Sequence, residues 1–350
     1  MTKSKTFIAT APGATIKEQL SNRGISQKEF AARMDMTEKH ISRLINGEVI
    51  LTPDVANRLE MVLGIPARFW NNLESIYREK ILLAEEENRM DKDIALARNY
   101  PYAEMANNGW VEKTSVATEK VRNLRKYFEV TELAILQNNN FCQRVACRKL
   151  SHTEKSDIGF LVWLQKVRIE SRSKETEAIN SKLLKESLAE IRKLTCKAPD
   201  DFCDTLDSLL SSCGIALMYV PHIKGSGIQG ATFSEGSKIV IGMTARCKDA
   251  DRFWFSLFHE IGHILLGHIN KSVEMTDTEE KEADAFARNA LIPSDLYKSF
   301  VADNSFSKNS IVVFARTVDI APGIVLGRLQ KDGYVKFSAF NELKKQYVIR

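Results

Sequence analysis

The chain begins with short stretches in which apolar residues recur every three or four positions, separated by glycines and polar turns. Between residues 14 and 77 these stretches read ATIKEQLSNRG, SQKEFAARMDM, TEKHISRLINGE and TPDVANRLEMVLG. Such spacing is typical of amphipathic helices, so it predicts four or five short helices. Ser26, Thr37 and Thr52 can each accept an amide hydrogen bond as an N-cap. Glu29 would complete a capping box with Ser26, and Pro53 suits a first helical turn.

The pattern changes twice further along the chain. From about residue 71 to 100 a charged run with apolar residues at helical spacing predicts a connecting helix, and residues 100–212 stay helix-like without a catalytic motif. From residue 213 the period becomes strand-like, in CGIALMYVPHI, GIQGATF and KIVIGMT, with glycines at the turns. The helical period returns in FWFSLFHEIGHILLGH. The fold class predicted from these periods is mainly α with a small α+β part.

Composition narrows the function classes only slightly. With 44% hydrophobic and 27% charged residues the chain is an ordinary globular protein. Its net charge of +5, from 50 basic and 45 acidic residues, is too small to predict nucleic-acid binding without a local pattern. None of its six cysteines lies in a CxxC pair, so reduced thiols are expected. The N-terminus lacks a long apolar core and no run of eighteen apolar residues occurs, which favours a cytoplasmic protein without a membrane segment.

The HEIGH segment carries the clearest chemistry. His259 and His263 are four residues apart, which on a helix places both imidazoles on one face within reach of a single metal ion. Glu260 would lie beside the open coordination position, where a carboxylate can take a proton from water and pass it to a leaving amine. His268 is expected only as a polar neighbour, because Gly267 is predicted to end the helix first.

A catalytic zinc needs a third protein ligand while it keeps one position for water. The segment TEEKEADAFARNALIP supplies carboxylates in which Glu280 and Asp284 share a helical face. Glu280 is the candidate ligand, and Asp284 is the candidate to orient a ligating histidine through its other ring nitrogen. Glu279 and Glu282 remain alternatives for the ligand.

Several ordered motifs surround HEIGH: GIALMYVP, GIQGATF, KIVIGMTAR, FWFSLFHEIGHILLGH and EKEADAFARNALIP. Through these motifs the run from residue 214 to residue 293 resembles the ImmA/IrrE family of zinc metallopeptidases. The resemblance implies a gluzincin-like fold in which His259, His263 and Glu280 hold zinc and Glu260 acts as the base. It also implies a protein substrate, since members of that family typically cleave helix-turn-helix repressors.

Residues 26–48, SQKEFAARMDMTEKHISRLINGE, have the layout of a helix-turn-helix, in which one helix braces against the DNA backbone and the next enters the major groove. The apolar positions predict its interior: Phe30, Ala31, Met34, Met36, Ile41 and Leu44. The candidates for the outward face of the recognition helix are Lys39, His40, Ser42, Arg43 and Asn46. Gln27 and Lys28, at the start of the bracing helix, are candidates for phosphate contacts.

A wider stretch, 11–77, carries APGATIKEQL, GISQKEFAARM, KHISRLINGE, LTPDVANRLEMVLGIPARFW and NNLESIY. It closely resembles the HigA-type antitoxin branch of the lambda-repressor-like helix-turn-helix family. The resemblance implies a homodimer that binds a double-stranded DNA operator. Near the C-terminus, FARTVDI followed by PGIVLGRL also resembles a short helix-turn-helix, which is expected to support the peptidase helix.

Four segments are therefore predicted. They are a helix-turn-helix domain at 11–80, a helical connecting region at 81–212, an ImmA/IrrE-like zinc metallopeptidase domain at 213–300 and a helical tail at 301–350.

Three functional hypotheses follow. The leading one is a DNA-binding transcriptional regulator with a zinc-dependent endopeptidase, manganese being the alternative metal, that cleaves a regulatory protein in trans or its own linker during a stress or toxin–antitoxin response. In the second, the zinc domain no longer cuts and acts as a sensor or partner-binding module. In the third, the protein is a HigA-like antitoxin that neutralises a toxin by direct binding.

Overall fold

The computed structural model describes residues 9–137, 145–149, 154–244, 249–270 and 276–347. The chain divides into two compact units, Met1–Ala95 (unit 1) and Leu96–Arg350 (unit 2). The predicted boundary near residue 80 falls within a long helix. The predicted boundaries near residues 212 and 300 fall inside unit 2. The division of this part of the chain into a connecting region, a peptidase domain and a tail stays a prediction.

Unit 1 consists of helices. They are α1 (Pro12–Arg23), α2 (Gln27–Arg33), α3 (Glu38–Ile45), α4 (Pro53–Leu63) and the 31-residue α5 (Ala67–Ala97). The predicted caps are confirmed, because the hydroxyl oxygens of Ser26, Thr37 and Thr52 accept hydrogen bonds from backbone N–H groups at the start of α2, α3 and α4. Local sequence therefore sets where these helices begin.

The interior of unit 1 matches the apolar pattern. Five of the six predicted core residues are buried, and Met36 is half-buried against the same cluster. Helix α3 contacts both α1 and α2. The contact of α1 with α3 requires a glycine at position 13, since a Cβ there would lie 2.0 Å from the carbonyl oxygen of Ile45. The two helices approach more closely than any side chain at that position would allow.

Unit 2 combines helices with a small sheet, which confirms the predicted class of a mainly α protein with a small α+β part. Its helices are α6 (Tyr102–Asn107), α7 (Ala117–Phe128), α8 (Glu154–Ser171), α9 (Ser181–Lys193), α10 (Pro199–Ser212), α11 (Ala250–Leu265), α12 (Asp277–Leu291), α13 (Ser294–Ala302), α14 (Lys308–Thr317) and α15 (Pro322–Lys331). Its strands are β1 (Val145–Lys149), β2 (Ile215–Val220), β3 (Ile228–Glu235) and β4 (Lys238–Thr244).

The sheet has the order β1-β3-β4-β2. β3 pairs antiparallel with both β1 and β4, and β2 pairs parallel with β4. The three strands from residue 213 onward were predicted. β1 was not, because residues 100–212 were predicted to be helical throughout. β1 pairs Val145 with Phe233, 88 residues later, and no local period reveals so distant a partner.

Residues of the sheet alternate between two apolar layers. On one face Ile215, Leu217 and Ile241 join a cluster with α10, α11, α14 and α15. On the other face Ala216, Val240 and their neighbours join a cluster with α7 and α8. The predicted connecting region therefore supplies one covering layer of unit 2, and it shares a core with the strands that precede the HEIGH helix.

The C-terminal segment takes the supporting position expected for it. α15 contacts α11 and α14, and its residues Val325 and Leu326 are fully buried in the cluster that contains Phe258 of α11. Arg328 donates hydrogen bonds to the carbonyl oxygens of Arg288 and Ile292, at the end of α12. This segment thus packs against α11 and the end of α12.

The described residues bear on two expectations from the composition, which concern membrane segments and the state of the cysteines. Within that part of the chain no single helix is long and apolar enough to cross a membrane, although α14 and α15 pass the same test as a pair bent by 115°. Cys196, Cys203 and Cys213 are free thiols, as expected. Cys142 and Cys247 lie outside the described residues, as does the side chain of Cys147.

Candidate functional site

Helix α11 carries HEIGH into the interior of unit 2. Apolar residues before and within the motif, including Phe258 and Ile261, are fully buried, so this helix is surrounded by other elements. His259 and Glu260 are each 1% exposed and His263 is 0% exposed. Side chains of this kind are buried only when they have partners.

Helix α12 brings the carboxylates to the two histidines. Its first turn is fixed by a capping box in which Thr276 and Glu279 bond to each other's backbone N–H groups. That cap fixes where the helix begins, and Glu280 and, four residues later, Asp284 lie on the face toward α11. The two helices are closely packed at Gly262, where a Cβ would lie 3.0 Å from the ring of Phe286.

Three side chains converge on one point. The Nε2 atoms of His259 and His263 lie 3.0 Å apart, and Glu280 places Oε2 3.3 Å from the first and Oε1 3.5 Å from the second. Ligands at about 2.0–2.1 Å from a tetrahedral zinc ion are separated by about 3.3–3.4 Å, so the donor spacing fits zinc. Oε1 of Glu280 is also buried without a hydrogen-bond partner among the described atoms. The three residues form a group that can hold a metal ion.

Hydrogen bonds to the outer ring nitrogens orient both imidazoles. Nδ1 of His259 lies 2.9 Å from Oδ1 of Asp284, where it donates to the carboxylate and leaves Nε2 with its lone pair toward the site. Nδ1 of His263 lies 3.1 Å from Nδ1 of His268, whose Nε2 lies 3.1 Å from Glu282. Glu282 accepts a hydrogen bond from Nε2–H of His268, so in a neutral His268 the other nitrogen, Nδ1, carries no proton. That Nδ1 accepts from Nδ1–H of His263, which leaves Nε2 of His263 with a lone pair that can bind a metal.

The structure therefore separates the three candidate glutamates of α12. Glu280 faces the two histidines, Glu279 forms the capping box, and Glu282 supports His263 through His268. His268 is a polar neighbour of the site, as expected, and Gly267 follows the last turn of α11 with a φ of 75°.

Glu260 points toward the sheet, where β3 holds it. The hydroxyl of Thr232 donates a hydrogen bond of 2.5 Å to Oε2 of Glu260. A Cβ at Gly230 would lie 2.9 Å from the other carboxylate oxygen, so the backbone of β3 passes directly beside this side chain. Thr232 and Gly230 were not among the site residues predicted from the sequence. Both stand in GIQGATF, but nothing in that motif shows that this part of the strand faces α11.

The two histidines differ in basicity when no metal is bound. Burial lowers the pKa of His259, but its hydrogen bonds with Asp284 and Glu280 outweigh that effect and raise the pKa to about 9. Burial, together with the neighbouring His259 and His268, lowers the pKa of His263 to about 3. At neutral pH His259 therefore carries a second proton and His263 does not. A metal ion must displace that proton from Nε2 of His259 in order to bind.

The second candidate site is the surface of α2 and α3 in unit 1. Of the seven residues predicted to contact DNA, five are exposed: Gln27, Lys28, Lys39, Arg43 and Asn46. Ser42 and His40 are half-buried, and Nε2 of His40 is enclosed without a hydrogen-bond partner among the residues that the structure describes. Arg43 lies 3.6 Å from Glu48, an exposed pair that an incoming phosphate or base can separate at little cost.

Known proteins match the chain in both units. Residues 16–70 match the family model for a helix-turn-helix, and residues 252–313 match the model for peptidase U49. The uncharacterized HTH-type transcriptional regulator YddM of Escherichia coli (strain K12) is 36% identical over 80 residues, which are 23% of this chain and 81% of that relative. The chain belongs to the helix-turn-helix transcriptional regulators.

The two family matches fall on the two sites. In this regulator, residues 16–70 extend from α1 into α5 and include every residue predicted to contact DNA. Residues 252–313 extend from α11 into α14 and include HEIGH together with Glu280. The regulator thus carries a peptidase U49 domain in unit 2, and the resemblances predicted for its two ends are confirmed.

The neighbouring glutamates of α12 allow a matched test of the third ligand. Glu280→Gln should weaken zinc binding by about 100-fold or more, because it removes one of three protein ligands. Glu279→Gln keeps a residue that can complete the capping box and should leave affinity unchanged. Glu282→Gln should weaken binding by about tenfold through His268. Competition with a chromophoric chelator measures the zinc affinity of all three variants. A large loss of affinity confined to Glu279→Gln or Glu282→Gln would identify that residue, and not Glu280, as the third ligand.

The proton on His259 predicts how zinc affinity depends on pH. With the pKa of His259 at about 9, the apparent affinity should rise by about tenfold per pH unit between pH 6 and pH 8, because fewer sites hold the competing proton. Titration calorimetry at pH 7 in buffers of different ionisation enthalpy should show the release of about one proton per zinc. A zinc affinity that does not change between pH 6 and pH 8 would contradict the presence of a competing proton on His259.

Proposed function

We propose that this regulator is a zinc-dependent endopeptidase whose N-terminal unit binds an operator and whose C-terminal unit cuts a regulatory protein. The observation that carries the proposal is the convergence of His259, His263 and Glu280, with Glu260 beside them. Two histidines and a carboxylate are the ligand set of zinc peptidases that keep one position open for water. Manganese is the alternative metal.

Each residue of the site has a distinct part in this reaction. His259, His263 and Glu280 would hold the ion, which supplies a Lewis acid for the peptide carbonyl and lowers the pKa of water. Glu260 takes the proton from the attacking water and delivers it to the nitrogen of the leaving amine. Thr232 fixes one carboxylate oxygen of Glu260, which keeps the base in one orientation. Asp284 and His268 keep the two imidazoles in the tautomer that binds metal.

The substrate is proposed to be a helix-turn-helix repressor in trans or the chain itself, in a stress or toxin–antitoxin response. Burial of the site supports peptide hydrolysis, because exclusion of bulk water strengthens the electrostatic interactions that a charged transition state needs. For unit 1 we propose a homodimer in which α3 lies in the major groove of double-stranded DNA. The exposure of Lys39, Arg43 and Asn46 along α3 supports that orientation.

Replacement of Glu260 separates catalysis from metal binding. Glu260→Gln should retain zinc but lower cleavage by about 100-fold or more, because the amide cannot accept the proton. The assay incubates the full chain with zinc, first alone and then with a proteome-derived peptide library, and identifies fragments by mass spectrometry. Glu186→Gln, an exposed change on α9, is the matched control.

Cleavage that survives in Glu260→Gln would remove Glu260 from the role of base. If the zinc-loaded parent cuts neither itself nor the library, the endopeptidase is refuted. The sensor and antitoxin hypotheses would then gain weight, because both require metal or partner binding without hydrolysis.

Operator binding depends on α3 in this proposal. Arg43→Ala should weaken binding to the upstream region of the protein's own gene by about 1–3 kcal/mol if the guanidinium contacts a guanine. Arg89→Ala, which removes an exposed arginine of α5, should leave affinity unchanged. Fluorescence anisotropy at a fixed salt concentration, with random-sequence DNA as competitor, measures the difference. Equal losses in the two variants would indicate a general charge effect.

A further inference from the structure

Helices α11, α12 and α15 of unit 2 surround a cavity of about 240 Å³ that lies to one side of the metal-ligand group. None of His259, Glu260, His263 or Glu280 lines it. Its apolar lining comes from Phe255, Leu291, Ile292, Ile324 and Phe337. The cavity is slightly below the range of about 300–1,000 Å³ that is usual for ligand pockets, so it suits a compact ring system.

The charge around this cavity is unbalanced. Five basic residues border it, against the two acidic residues Asp251 and Asp332. Lys344 lies 2.9 Å from Asp251, and Arg328 lies 3.7 Å from Asp332, whose carboxylate also accepts from Tyr297. The acidic groups are therefore already engaged. Two of the other basic residues have partners outside the cavity, since Lys331 lies 3.8 Å from Asp284 and Arg252 lies 3.5 Å from Asp249. Among the five, Arg288 alone makes no ion pair with the described residues.

Arg288 is the basic residue best placed to bind an anion. Its side chain is half-buried and makes no ion pair or hydrogen bond within the part of the chain that the structure describes. Arg328, another cation, is close enough to interact with it electrostatically. A partly buried guanidinium without a counter-charge is unfavourable unless an anion joins it.

Buried polar atoms at the cavity also lack partners. Oδ1 of Asp251 is enclosed without a hydrogen bond among the described residues, and Asp251 is 9% exposed. Nε of Arg328 also makes no hydrogen bond there, because its ion-pair partner Asp332 lies 3.7 Å away. Buried polar atoms are nearly always paired, so an unpaired donor and an unpaired acceptor in one cavity indicate a missing partner. The donor suits an anionic oxygen, and the acceptor suits a hydroxyl or N–H group.

We propose that this cavity is a binding site for a small amphipathic carboxylate, with its ring on the apolar lining and its carboxylate between Arg288 and Arg328. Guanidinium groups bind carboxylates through charge-assisted and frequently bidentate hydrogen bonds. The site differs from the proposed peptidase centre in its residues and its ligand. The proposal therefore stands or fails independently of whether this regulator cuts protein.

The test compares 2-naphthoate with its neutral analogue 2-naphthamide on the full chain at pH 7, by ligand-observed NMR titration. Naphthoate should bind about tenfold or more tightly than naphthamide, because only the carboxylate satisfies the guanidinium groups. Arg288→Gln should abolish this preference and leave the affinity for naphthamide unchanged. Arg316→Gln, an exposed change on α14, is the matched control and should keep the preference.

A second variant separates the apolar lining from the charge. Phe337, which is 70% exposed, lies at the cavity, so Phe337→Ala should weaken both ligands by the same factor and keep their ratio. Unchanged naphthamide binding in Arg288→Gln shows that the variant is folded. The proposal is overturned if neither ligand binds the parent, if both bind equally, or if Arg288→Gln keeps the preference for naphthoate.

Discussion

The close contact of α11 with α12 is the constraint on which the site in unit 2 depends. Neither helix by itself holds the group of residues that could bind a metal ion, since the histidines are on α11 and the carboxylate is on α12. The contact is close at Gly262, where a Cβ would lie 3.0 Å from the ring of Phe286. A side chain at this point would require the ring of Phe286 to shift by a few tenths of an ångström, so the packing between the two helices is tight beside the donor atoms.

Burial of so many ionisable groups is costly unless each one has a partner. The structure meets this requirement with chains of hydrogen bonds that lead outward from the site. Asp284 supports one histidine, His268 and Glu282 support the other, and Thr232 holds the carboxylate of Glu260. The same bonds select the tautomers that present Nε2 to a metal, so the groups that make burial tolerable also prepare the site for its chemistry.

The surrounding elements have a similar double role. The region before residue 213 contains no catalytic motif, yet α8 covers one face of the sheet and β1 forms its edge beside β3. At the other end, α15 packs on α11 and also lines the cavity that holds Arg288 and Arg328. Segments without a catalytic motif thus pack around the sheet and α11. One of them, α15, also contributes to a cavity in which polar groups lack hydrogen-bond partners among the described residues.

Local sequence by itself determined the features that depend on neighbours a few residues away. The N-caps at Ser26, Thr37 and Thr52 follow from side chains that reach their own helix, and the pairing of His259 with His263 follows from helical geometry. Tertiary structure decided the rest. It distinguished Glu280 from Glu279 and Glu282, brought Thr232 to Glu260, and added β1 to the sheet. Each of these required the approach of elements far apart in the chain, and the short-range periods of a sequence do not encode which distant surfaces will meet.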